Sequence, residues 1–102
     1  MGEVATQAIT DASARDLRAL EVHFTNGGRN RFHRHTTEQI LVITEGDGIV
    51  ATRSEERAVS AGDIALIPAG EEHWHGAQPG KDMTHIAING GSSETTVTEE
   101  PR

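Results

Sequence analysis

The stretch FHRHTTEQILVIT, residues 32–44, sets His33 and His35 one residue apart and runs on through Gln39 into an apolar segment. Successive side chains of a β-strand point to opposite faces, so residues of one parity share a face. His33 and His35 can therefore aim two imidazoles at one point. Gln39 has the same parity, as do Leu41 and Ile43, which would fill the interior behind them. Arg34 and Glu38 have the opposite parity, as solvent-facing residues should. Ile40 and Val42 make the run apolar on its outer side too. That pattern suits a strand covered on both faces, by a second sheet or by a subunit contact.

A second H-x-H, His73 and His75 in EEHWHGA (71–77), repeats the arrangement with Trp74 turned the other way. A third imidazole set beside the first pair would bring three ring nitrogens together, a donor set that suits Mn, Fe, Ni, Cu or Zn. Three protein ligands with positions left over make a reactive centre rather than a sealed one. Solvent-facing polar residues would give the same spacing, which leaves both readings open. In MTHIAING (83–90), His85 shares parity with Met83 and Ala87, while Ile86 and Ile88 share the other face. His85 is thus a cavity-facing proton carrier or a surface histidine on an edge strand. His23 reads as structural or exposed, and Trp74 as a packing anchor.

The chain has 102 residues, which predicts one domain over 1–102. Hydrophobic content is 34% and aromatic content 3%, so the core must be built mainly of Ile, Val, Leu and Ala. Eleven glycines against three prolines imply many turns. LRALEVHFT (17–25) alternates as a half-buried strand and NGG (26–28) turns the chain. EGDG (45–48) reads as a further turn, SEER (54–57) as a hairpin tip and QPGKD (78–82) as a loop that helps shape the pocket. DASARDLRAL (11–20) carries a weak helical hint. Residues 1–16 and 92–102 read as weak edge strands or frayed tails. About seven or eight short strands point to a sandwich or barrel.

The formal charge of −7 argues against generic binding to nucleic acid or to an anionic membrane. No run approaches the length of a membrane span, and the N-terminal residues lack a signal-type apolar stretch. With no cysteine, disulfides and thiolate metal sites are excluded. A soluble cytoplasmic protein that takes a small molecule is the simplest expectation.

The glycines and proline around the histidines carry a family resemblance. Gly27 is followed after five residues by His33 and His35, Gln39 comes three residues later, and Gly46 six after that. Gly62 leads at similar fixed spacings to Pro68, Gly70 and His73. Together these segments, spanning 27–77, resemble the two motifs of the cupin superfamily. Two positions depart from its usual pattern: Gln39 stands where most cupins carry glutamate, and Ala77 where an asparagine is usual. With HWHGA and MTHIAI, the glutamine is similar to the small bacterial cupins that include manganese-dependent hydroxynitrile lyases. The resemblance implies an all-β, jelly-roll barrel of two antiparallel sheets, often a homodimer. It implies one divalent metal, Mn first and Fe, Ni or Zn otherwise, held by His33, His35, Gln39 and His73. It also implies His85 beside the substrate, with His75 orienting a ligand, sharing the acid–base work or lining the rim.

A glutamate at position 39 would cancel one of the metal's two charges; the amide cancels none. The full charge would then act in a dry barrel, where screening is weak. This favours Lewis-acid lyase chemistry, at a carbon–carbon bond beside an oxygen, over oxygen activation. An iron-dependent dioxygenase and a non-catalytic metal- or ligand-binding module are the alternatives.

Overall fold

The computed structural model describes residues 2–99, and every regular element among them is a β-strand. In chain order these are β1 (Glu3–Ala8), β2 (Leu17–Thr25), β3 (His33–His35), β4 (Gln39–Thr52), β5 (Glu56–Ser60), β6 (Ile64–Ile67), β7 (His73–Ala77), β8 (Met83–Gly90) and β9 (Thr95–Val97). All pairings are antiparallel. One sheet runs β1-β2-β8-β4-β6 and the other β5-β4-β7-β3-β9. The expected all-β jelly roll is what forms, and β4 belongs to both of its sheets.

That double membership corrects the reading of EGDG as a turn. Residues 45–48 lie inside the 14-residue strand β4. The register slips between Ile43 and Glu45 where β4 pairs with β8, a β-bulge that bends the strand out of one sheet and into the other. Gly46 makes the corner possible. Its φ is +79°, and a Cβ there would meet the Asp82 carbonyl oxygen at 2.0 Å. The glycines that resemble a turn therefore build a corner in a continuous strand.

The helical hint over 11–20 is also overturned. The Asp11 carboxylate accepts from the Ser13 backbone N–H at 2.8 Å, a local bond that competes with a helical turn. From Leu17 the chain is strand, paired on both sides by β1 and β8. At the N-terminus, β1 forms as an exposed edge strand. At the other end, β9 pairs with β3, and residues 100–102 of the expected tail lie outside the described residues.

Side chains alternate as the parity reading requires, and they divide the interior into two ends. Val22, Phe24, Ile43, Ala77 and Met83 form one apolar cluster; Leu41, Ile67 and Ala87 form another. The histidines occupy the space beside them, with Phe24 5.2 Å from His85 and 5.9 Å from His75 between ring centroids. On the outer face of β4 no second sheet forms: nothing among the described residues covers Ile40, which is 39% exposed, or its neighbours Leu66 and Ile64 on β6, at 60% and 69%.

Candidate metal centre and cavity

His33 and His73, forty positions apart in sequence, are direct partners across β3 and β7. That register brings the two H-x-H segments together. The His33 and His73 ring centroids are 4.3 Å apart, with His35 at 4.9 Å from His33 and 5.3 Å from His73. One nitrogen from each of the three rings lies within 4.8 Å of the others. A loop bond holds the second segment in place: Gly70 N–H donates to the His35 carbonyl at 2.8 Å, from a backbone with φ of +80°.

Each ring is fixed by its Nδ1. That atom donates to the Arg31 carbonyl in His33 at 2.6 Å and to the Glu71 carbonyl in His73 at 2.9 Å. In His35 it lies 2.9 Å from the Thr95 hydroxyl. A proton on Nδ1 leaves Nε2 as a bare lone pair, the form a metal ligand must take. Burial keeps these imidazoles neutral. It lowers His33 below the usual histidine value, and it brings His73 to about 4 and His35, with help from its two histidine neighbours, also to about 4.

Gln39 completes the group from the first position of β4. Its Nε2 donates to Asn89 Oδ1 at 3.1 Å, so its Oε1 faces His73 Nε2, also at 3.1 Å. Two acceptors thus face each other, while His35 Nε2 is buried without a partner and Asn89 Nδ2 is left unpaired. Reversing both amides would pair Gln39 Nε2 with His73 and Asn89 Nδ2 with Gln39. The observed orientation forgoes those bonds and turns oxygen toward the rings. Leaving buried polar groups unpaired costs about 1–3 kcal/mol each, and a cation among the lone pairs removes that cost for the donors facing it. Three imidazoles and an amide oxygen, all neutral, fit a divalent transition metal.

His75 and His85 sit deeper. His85 Nε2 is 2.9 Å from His75 Nδ1, and both rings are buried. Burial lowers His85 to about 4; burial, then the adjacent His85, takes His75 well below the usual range. Asn30 ties His75 from the other side, its Oδ1 accepting the His75 backbone N–H at 2.9 Å. His75 therefore lies in the interior, not on the rim. His85 faces inward with Met83 and Ala87, and its Nδ1 is buried without a partner. His23 lies outside the cluster, bridging Glu21 and Thr84.

A cavity of about 530 Å³ opens onto this cluster, lined by His33, His35, Gln39, His75 and His85 and walled by apolar residues including Val4, Leu20 and Val97. Strand β1 contributes Val4 and Thr6 to its wall. The 78–82 loop does not line it; Lys81 instead bonds Gly27 near the far end of β8. Trp74 lies outside it as well, packed under the Arg29 guanidinium at 4.2 Å. Arg18, Asn30 and Asn89 were not singled out from the sequence. Arg18 and Asn89 have the inward parity of Leu20 and His85, a signal that was legible; Asn30 sits in a loop and carried none.

The described residues thus form a β-barrel with an inward histidine cluster that could hold a metal ion and a cavity above it. The chain belongs to the cupin family: the cupin domain matches residues 20–94. Over 68 residues it is 38% identical to an (R)-mandelonitrile lyase from Granulicella tundricola, covering 66% of this chain and 52% of that protein. It is 34% identical over 70 residues to a dimethylsulfoniopropionate lyase from Ruegeria pomeroyi, covering 69% of this chain and 46% of that one. The chain thus spans about half the length of these curated relatives. A cupin-like protein from Thermotoga maritima superposes with a TM-score of 0.85 at 31% identity, over 96% of this chain and 79% of that one. No helix among the described residues is long and apolar enough to cross a membrane.

Proposed function

We propose that this cupin is a metal-dependent lyase that cleaves or forms a carbon–carbon bond beside an oxygen, as in a cyanohydrin. His33, His35, Gln39 and His73 would hold one divalent metal, Mn in the first instance. The observation that carries the reading is the convergence of His33, His35 and His73, whose ring nitrogens lie within 4.8 Å of one another. The lyase names of both curated relatives support the reaction class.

When bound, the metal supplies an uncancelled positive charge, and so Lewis acidity toward an oxygen-bearing substrate. The remaining work falls to the chain. The apolar walls exclude water and strengthen electrostatic interactions inside. His85, kept neutral by burial and lining the cavity, would act as the proton acceptor. The Nε2–H of the resulting imidazolium would donate to His75 Nδ1, 2.9 Å away, which stabilises that charge. Asn30 fixes the strand that carries His75. Cleavage of mandelonitrile by protein reconstituted with Mn tests the reading. Turnover well above the metal-free protein supports it; metal-dependent oxygen uptake with catechols or diketones would point to a dioxygenase, and metal uptake with neither to a binding module.

We also propose a homodimer formed through the outer face of β6, β4 and β8. Leu66, Ile40 and Ile88 form one row across these strands, and Ile64, Val42 and Ile86 the next. Such a flat aliphatic face is self-complementary about a two-fold axis.

A further inference from the structure

The cavity is cationic in a chain that is not. Arg18 and Arg31 both line it, and among the described residues no aspartate or glutamate does, although the chain carries a net charge of −7. Arg18 has the parity of Leu20, Val22 and Phe24 on β2 but is itself exposed, at the open end of the cavity it lines. Its register links it to the histidine cluster. Arg18 pairs with Asn89 across β2 and β8, and Asn89 pairs with Gln39 across β8 and β4. One transverse row therefore leads from the guanidinium to the candidate metal ligand.

The arginine is held rather than free. Its Nη2 donates to the Ser93 carbonyl at 2.8 Å, and among the described residues no carboxylate pairs with it. The rest of its planar donor fork remains available, in a geometry matched to a carboxylate.

We propose that Arg18 forms a carboxylate-binding subsite at the solvent-facing end of this cavity, so that the physiological substrate is a small organic acid with an apolar body. This deepens the lyase reading by naming its substrate class, and it rests on that reading only for where the reactive end lies. The carboxylate would meet Arg18, and the apolar body would lie against Leu20, Val22 and Val97.

Phenylacetate and its neutral analogue phenylacetamide are the probes, titrated calorimetrically into metal-free and Mn-loaded protein. Phenylacetate should bind at least about tenfold more tightly, the effect of one charge-assisted hydrogen bond. Arg18→Gln should erase that preference and Arg18→Lys should keep part of it, with Mn affinity unchanged in both. The preference in unaltered protein should also weaken with added salt. Equal affinities for the two probes, a preference that survives Arg18→Gln, or one that salt does not weaken would overturn the proposal. Because metal-free protein is titrated too, failure to bind Mn would remove the lyase reading and leave the Arg18 result standing.

Discussion

Gln39 Oε1 lies 3.1 Å from His73 Nε2, while His73 Nδ1 is committed to the Glu71 carbonyl. A neutral imidazole has one proton and cannot donate at both atoms, and burial disfavours the doubly protonated form. As placed, the pair is acceptor against acceptor, an arrangement that a cation between them would satisfy.

Gln39→Glu should tighten Mn binding by about tenfold or more, since a carboxylate adds a charge–charge attraction worth at least ~1.4 kcal/mol at such range. The same substitution should slow mandelonitrile cleavage, because the metal's charge is then partly cancelled. Mn titration followed by electron paramagnetic resonance reads the first effect and turnover the second. Unchanged turnover at a tighter site would make the amide incidental.

His85→Ala should reduce turnover by about 10²–10⁴-fold, the usual range for a lost general base, while leaving Mn binding intact. His75→Ala should cost less, since His75 acts through His85. His23→Ala should cost nothing, because His23 lies on the outer face with Glu21 and Thr84. Full activity in His85→Ala would transfer the proton step elsewhere.

Acid should destabilise the metal-free protein over a defined window. The buried histidines titrate lower when folded than when unfolded: His35, His73 and His85 at about 4, against an ordinary 6.5. Between those values the unfolded chain binds more protons, so stability is full above pH 6.5 and falls as pH drops toward 4. Thermal unfolding followed across this range should show Tm falling steadily. A flat Tm between these limits would mean that the rings are not desolvated as placed.

Much of this site was legible as parity. His33, His35 and Gln39 share a face because strand side chains alternate, and His85 turns inward with Met83 and Ala87 for the same reason. The pairing of His33 with His73 is a long-range register that no local pattern specifies; the family resemblance supplied it. The corner at Gly46 was misread because a glycine with positive φ serves a bulge as well as a turn. The apolar run of β4 left open what covers its outer face; among the described residues no second sheet does, which leaves the subunit contact as the proposal.

That face gives a further test. Ile64→Arg, a charge placed at the 69% exposed position where the apolar rows reach the sheet edge, should shift the protein from dimer to monomer in light scattering. Its unfolding should otherwise change little, since exposed substitutions usually lie within about 0.5 kcal/mol. A monomer before the substitution would remove the dimer.

The most direct test of the metal centre is the metal content of untagged protein after reconstitution with Mn, set beside that of His73→Ala. About one equivalent per chain in the unaltered protein, lost in the variant, is expected of a single facial site. Less than about a tenth of an equivalent of any transition metal in the unaltered protein, or equal loading of the variant, would contradict it.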